Sequence, residues 1–377
     1  MKKMVFAAAA AASCVAPALA EPFIFSGVID SGLGYVSNPF IRPGQDAASP
    51  FVTISVTPTL TRKTARTVTE IRGIYSREEY FRRYGHTENA SAGLSHAAQL
   101  TQNFGVNGQV SYLTTTNPLI GQAYDPTLSD PLTIGQRTKR LSGGGGFSWQ
   151  PSALDSITGG VNASNVKYSG GNASSLARDY DQYGANLGYS RTIDARTTIG
   201  VQVAANKVDS KFYPNTQSVQ PALTLQRKLS EAWTFDGNIG LIAQKVDGRG
   251  TSTSLGYGAS LCGNYPRTEF CVTASRQSTP SGIGGLRKTT QFGSTLTQRF
   301  SERSRVVGRL SYDDSKGQGS TVVSSAKVYQ ARMDYGYDLT QRLTVGAGAR
   351  YQRRELSGGA AGDSIGGTVN LTMKVGR

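Results

Sequence analysis

From Lys327 to Arg353 apolar and polar residues alternate almost one for one. Tyr329, Ala331, Met333, Tyr335, Tyr337 and Leu339 hold one set of positions; Gln330, Arg332, Asp334, Gly336 and Asp338 hold the other. After Thr340-Gln341-Arg342 the scheme resumes, with Leu343, Val345, Ala347, Ala349 and Tyr351 set against Thr344, Gly346, Gly348, Arg350 and Gln352. Successive side chains of a strand point to opposite faces, so the pattern predicts a hairpin with one apolar and one charged face. A soluble sandwich gives the same alternation with its apolar face in a core. Here that face carries tyrosines at its ends and small residues between them, which suits contact with lipid between aromatic girdles better than interdigitation.

The same two-residue period recurs along the chain. It predicts strands at Phe25–Tyr35, Phe51–Thr61, Thr67–Tyr80, Ser91–Leu100, Val106–Thr114, Lys139–Trp149, Ile157–Tyr168, Tyr180–Arg191 and Thr197–Val208. It continues through Val219–Leu229, Trp233–Val246, Ser254–Cys262, Phe270–Ser278, Thr289–Phe300, Arg305–Asp313, the opening hairpin and Ile365–Val375. Long polar connections (Ser37 to Pro50, and Asn117 to Gln136) alternate with turns of a few residues. Leu100-Thr101-Gln102-Asn103-Phe104, Leu296-Thr297-Gln298-Arg299-Phe300 and Leu339-Thr340-Gln341-Arg342-Leu343 read as variants of one turn phrase, with Leu225-Gln226-Arg227-Lys228-Leu229 a looser relative. Short turns at one end and long loops at the other predict an all-β chain, a transmembrane antiparallel up-and-down β-barrel of about 18 strands, or 16 if two edges fail, with the turns periplasmic and the loops extracellular. No linker divides residues 21–377, which are expected to form one barrel.

The N-terminus bears on the compartment. Lys2 and Lys3 precede an apolar run from Met4 to Val15, and Ala18-Leu19-Ala20 is an A-x-A site. Residues 1–20 are therefore expected to be a cleaved signal peptide, too short to be a membrane helix. Cys14 after Ala-Ala-Ser only loosely echoes a lipoprotein box. Beyond it no stretch reaches the roughly 18 apolar residues of a spanning helix. Charged residues make up 17% of the chain, below the about one quarter usual for soluble domains.

The formal charge of +15 falls to +13 once Lys2 and Lys3 are removed. For an exported chain without a nucleic-acid motif, this favours lipopolysaccharide head groups, anionic polysaccharide or small anions as partners over nucleic acid. A solvated basic lumen and loops would give the same charge with no partner at all. Cys262 and Cys271 bracket a turn-like octet, and an oxidising compartment then suggests a disulfide across a hairpin. Neither the further ligands of a metal site nor a C-x-x-C redox motif accompanies them.

Catalysis has little to work with. His86 falls in a loop and His96 on a strand, where Ser95 and His96 point to opposite faces. The run Gly143-Gly144-Gly145-Gly146 lacks the Lys-Ser/Thr of a phosphate loop and sits mid-strand, where it would give a wall without side chains. No enzyme activity, cofactor or metal is expected. The polar faces say more. Alternation places Arg72, Arg140, Arg299, Arg305, Arg309, Arg332 and Arg350 on the lumen side, together with Glu70, Asp236 and Asp334. Rings of arginine favour anions and match carboxylates bidentately; the same charges could equally pair across strands and only brace the wall. The segment Asn117–Gln136 is long enough to fold inward as a constriction or to remain an external loop.

The signal peptide, Ser37-Asn38-Pro39-Phe40, Val56-Thr57-Pro58-Thr59-Leu60 with its basic turn, and the L-T-x-R-F/L turns resemble the type-2 group of β-barrel porins in Gram-negative outer membranes. The resemblance covers most of the chain and rests on loose, mainly structural motifs. It implies an outer-membrane location, insertion by the barrel-assembly machinery and an association with exopolysaccharide or capsule export. The sequence departs from such barrels in ending Met373-Lys374-Val375-Gly376-Arg377 rather than on an aromatic; either Val375 serves as a weak assembly signal or the true end differs. Together these features lead to an expected channel for hydrophilic solutes or saccharides, anionic ones among them. The alternatives are a component of polysaccharide export machinery and a closed surface-binding barrel.

Overall fold

In the computed structural model the described residues are 23–41, 48–82, 84–116, 137–169, 177–282, 285–317, 325–359 and 361–376. Eighteen strands follow one another: β1 (Ile24–Val36), β2 (Ser49–Lys63), β3 (Thr67–Tyr80), β4 (His86–Gln99), β5 (Phe104–Thr115) and β6 (Arg137–Trp149). Next come β7 (Asp155–Ser169), β8 (Tyr180–Asp194), β9 (Thr197–Ser210), β10 (Thr216–Lys228), β11 (Trp233–Val246) and β12 (Gly250–Asn264). The last six are β13 (Thr268–Ser281), β14 (Gly285–Arg299), β15 (Ser304–Gly317), β16 (Ser325–Asp338), β17 (Leu343–Leu356) and β18 (Ala361–Gly376). Each pairs antiparallel with its sequence neighbours, and β1 pairs with β18 from Ser26↔Gly376 to Val36↔Gly366, closing the sheet. Except above Tyr257↔Arg276, where β12 and β13 part, closure leaves no sheet edge, which is what a strand-built structure needs to cross lipid. The strands run a few residues beyond the apolar alternation, because the ladders continue into the polar rim. For the same reason His86, expected in a loop, begins β4.

Alternation assigns the two faces. Leu187 is 57% exposed and stands on β8 between the exposed rings Tyr183 and Tyr189. Leu33, Ile54, Val110, Leu141, Val161, Val203, Leu223, Ile239, Leu310, Met333 and Val369 are exposed in the same way on other strands. In a soluble protein such a surface would be an aggregation hazard; around a closed barrel it is the belt that meets acyl chains. At the turn end Trp149, Phe270, Phe300 and Tyr337 are exposed, and the Trp233 indole N–H donates to the Tyr265 hydroxyl at 2.8 Å, giving the girdle an aromatic–polar character.

The turns repeat one construction. The amides of Leu100, Leu229, Phe300 and Leu339 donate to the carbonyls of Phe104, Trp233, Ser304 and Leu343 at 2.9–3.0 Å. The hydroxyl at the second position then accepts from amides ahead of it, as Thr340 Oγ1 does from Arg342 and Leu343 at 3.2 and 3.1 Å, and Ser301 Oγ from Arg303 and Ser304. The repeated phrase is therefore a hydroxyl-capped turn. Leu296–Arg299 and Leu225–Lys228 are the strand ends that lead into such turns, which are Phe300-Ser301-Glu302-Arg303 and Leu229-Ser230-Glu231-Ala232. In the glycine run on β6, a Cβ at Gly144 would stand 2.8 Å from the Val161 carbonyl oxygen, so close approach of β7 demands glycine there.

Cys262 and Cys271 face each other directly across β12 and β13 and form a disulfide. Their sequence separation is 9, so the bond closes a small loop. Replacing both with serine should lower unfolding free energy by about 1–3 kcal/mol, the range for a short closed loop. The measurement is urea unfolding of the purified barrel, oxidised against the double variant.

Candidate functional site

On the inner wall β1, β2, β3 and β15–β18 enclose a recess of about 410 Å³. Its floor is set by register. Arg309 on β15 lies directly opposite Arg332 on β16, and Arg332 directly opposite Arg350 on β17, making a row of three guanidinium groups across adjacent strands. Arg305, four residues below Arg309 on β15, is opposite Gly336 and extends the positive strip toward the turn end. Like charges directly opposite each other destabilise a sheet, so this row works against the stability of the wall.

Acids offset it only in part. Asp334 takes a 2.7 Å ion pair from Arg332 Nε and stands 3.8 Å from Arg309 Nη1. Arg350 sits over the Phe51 ring at 5.5 Å and interacts with the buried carboxylate of Glu78, which also accepts from the Tyr80 hydroxyl at 2.7 Å. Arg305 makes no ion pair among the described residues. Across the recess Asp30 accepts from Asn370 Nδ2 at 2.8 Å and Thr372 Oγ1 at 2.5 Å. Hydroxyls of Thr53, Ser55, Ser76, Thr344 and Thr368 complete the lining. The arrangement offers several guanidinium forks beside hydroxyl and amide groups, a surface able to hold a carboxylate and sugar hydroxyls together.

Five of the residues expected on the lumen side therefore come together here: Arg305, Arg309, Arg332, Arg350 and Asp334. The others lie on the same alternating set but elsewhere on the wall. Arg72 and Glu70 occupy β3 nearer its turn, out of phase with exposed Ile71 and Tyr75; Arg140 is buried beside exposed Leu141 on β6. Asp236 lies near the turn end of β11. Arg299, at the end of β14, is held at 3.0 Å by Glu269, which is bracing of the wall rather than a share in the recess. Asp30 and Glu78 were not singled out from sequence. Glu78 shares the parity of Glu70 and Arg72, so carrying the alternation on through β3 would have found it; Asp30 sits among Val28, Ile29 and Ser31, where alternation is blurred.

Two pieces of chain pack against the loop end of the inner wall. Phe40 and Ile41, from the β1–β2 connection, are buried, and Phe40 meets Tyr84 at 5.3 Å in a ring cluster with Phe51 and Tyr80. The Ile41 carbonyl accepts from Arg354 Nη2 at 3.3 Å, and Ile41 itself has a φ of 49°, unfavourable for a β-branched residue. On the opposite side the tip of β13–β14 lies inside the barrel, where Leu286 is fully buried among Val166, Tyr180 and Val208 of β7, β8 and β9. The segment Asn117–Gln136, considered for such a role, lies outside the described residues.

No family profile and no curated protein matches the chain. Solved structures similar in fold include OccK2 (OpdF) of Pseudomonas aeruginosa in complex with glucuronate, with a TM-score of 0.50, 11% identity and coverage of 94% of this chain and 99% of that one. The outer membrane protein opdK of Pseudomonas aeruginosa matches with a TM-score of 0.49, 10% identity, and coverage of 95% and 99%. The FrpB iron transporter of Neisseria meningitidis matches at 0.48 and 9%, covering 93% of this chain and 82% of that one. At such identities the likeness is one of fold: the chain is an 18-stranded barrel of the outer-membrane kind.

Proposed function

We propose that this chain is an outer-membrane channel through which small hydrophilic anions, carboxylated saccharides among them, diffuse. The single observation that carries the reading is the row Arg309, Arg332 and Arg350 on three adjacent strands. A sheet whose only task is to span lipid gains nothing from three guanidinium groups side by side; a wall that must strip part of the water from a passing carboxylate does. Hydroxyl and amide groups beside the row suit the rest of a sugar acid. Glucuronate, bound by the structurally similar OccK2, is a compound of that class. An 18-stranded barrel is also wide enough to leave an aqueous path unless chain fills it. The inward-packed β13–β14 tip narrows that path, which favours small solutes over the passage of a polymer in exopolysaccharide export. On this reading residues 1–20 direct export, the barrel-assembly machinery inserts the mature chain, and its basic rim meets lipopolysaccharide phosphates.

Liposome swelling tests the reading. Vesicles carrying the refolded mature barrel should swell faster in sodium glucuronate than in a cationic amino sugar of similar size. Equal rates would remove the anionic preference, and no swelling with either would remove the channel.

A further inference from the structure

We propose that the upper part of the β13–β14 hairpin is a two-position gate, swung into the lumen here and able to zip back onto β12, and that its position sets the size limit of the pore. The proposal rests on the channel reading above and goes beyond it.

The first observation is a split in the wall. β12 and β13 pair from Asn264↔Glu269 up to Tyr257↔Arg276 and there the ladder stops, although β12 continues to Gly250 against β11 and β13 continues to Ser281 against β14. The same register carried upward would join Gly256 to Gln277 and, step by step, Ser252 to Ser281. Those pairs are absent. The split begins at the height of Tyr257; on the outer face below it are Leu261, Phe270 and Val272 of the apolar belt. Exposed Leu255 on β12, opposite exposed Leu241 of β11, lies just above that height, so unpaired backbone at the start of the split meets the apolar belt, a cost that closing the ladder would remove.

The second observation is where the hairpin goes instead. Leu286 N–H donates to Thr216 Oγ1 at 2.9 Å, Gln244 Nε2 donates to the Leu286 carbonyl at 2.8 Å, and the Arg178 amide donates to the Gly282 carbonyl at 2.9 Å. With Leu286 seated among Val166, Tyr180 and Val208, the tip is fastened to the inner wall of β7–β11. These bonds use Gly282 and Leu286 rather than the β13 groups that would pair with β12. The positions therefore exclude each other by placement: Leu286 packed on the inner face of β7–β9 cannot also stand in the wall two strands from β12.

The third observation is frustration at the split, which holds four of the twelve buried side-chain polar atoms without a hydrogen-bond partner among the described residues. Ser254 Oγ on β12, Arg276 Nε and Ser278 Oγ on β13, and Gln244 Oε1 behind the latch are all buried without a hydrogen-bond partner. Buried polar groups are nearly always paired, and a cluster of exceptions marks a place where the observed position is not the only good one. Below the split the Cys262–Cys271 disulfide holds the two strands together, so only the upper half can part from β12; β14 keeps its ladder to β15 up to Arg287↔Gly317, and the top of β15 moves with it.

Two engineered disulfides in the full mature barrel separate the positions. Val208→Cys with Leu286→Cys can bond only with the hairpin inside, and Ser254→Cys with Thr279→Cys, partners in the extended register, only with it zipped. Peptide mapping under non-reducing conditions scores each bond alongside the native one, and bilayer conductance reads the pore. Both bonds should form, and the zipped form should conduct about twofold more than the latched form and admit larger solutes. Should either pair fail to fold, Leu286→Gln loosens the latch and should raise conductance toward the zipped value. Failure of the Ser254–Thr279 bond where Val208–Leu286 forms overturns the gate, as does equal conductance in both bonded forms or an unchanged Leu286→Gln. A silent wild-type barrel that conducts once zipped supports the gate and sinks diffusion through the resting form; silence in every form sinks channel and gate together.

Discussion

Replacing Arg305, Arg309 and Arg332 together with glutamine is expected to turn an anion-preferring pore into one that prefers cations. The change removes three positive charges from one recess, leaves Asp30 with its hydrogen bonds to Asn370 and Thr372, and strips Asp334 of the two arginines that offset its charge. Arg350 is spared because it faces buried Glu78, and removing it would confuse a folding defect with a change of field. A unit charge acting over a few ångströms of water contributes on the order of 1 kcal/mol. Three such charges act in opposite directions on anions and cations, so the permeability ratio should fall by about tenfold or more in dilute salt. The shift should shrink in molar salt, where the screening length drops to about 3 Å. Reversal potentials in a salt gradient measure it. An unchanged ratio would mean that these arginines only brace the wall.

Leu187→Arg is the second large effect expected, and it bears on stability. Leu187 points outward between Tyr183 and Tyr189, at mid-height of β8. A guanidinium there meets acyl chains with no partner, at about 2–4 kcal/mol for a position near the bilayer midplane. Gln202→Arg is the control, since Gln202 pairs with Gly188 on the neighbouring strand and belongs to the opposite, inner set. A surface-like change at a wet position should stay within about 0.5 kcal/mol. Equilibrium unfolding in lipid vesicles compares the two. Equal losses at both positions would contradict the assignment of faces.

Much of this fold is legible in the sequence because one physical rule, alternation between lipid and water, acts on nearly every strand. The row of arginines is legible too, in hindsight. Asp338 pairs with Thr344 around the turn at Thr340–Arg342, and counting back from there brings Arg332 opposite Arg350. Arg309 needed a second register, across β15–β16, which the turn does not set. The in-folded hairpin was out of reach for a different reason. Gln277, Ser278 and Thr279 carry ordinary strand residues, and whether they pair with β12 or leave it depends on Leu286 finding Val166, Tyr180 and Val208 across the lumen. Such long-range competition leaves no periodic mark. Only Pro280, which lacks a ladder donor, hints that β13 departs from a central strand near its top.

Single-channel recording of the refolded mature barrel, in a planar bilayer with a potassium chloride gradient, bears most directly on the claim that the arginine-lined lumen is an anion-preferring pore. Discrete, long-lived conductance steps with a reversal potential on the chloride side are expected. A correctly folded barrel, shown by its shift in gel mobility on heating, that passes no current or prefers potassium would contradict it.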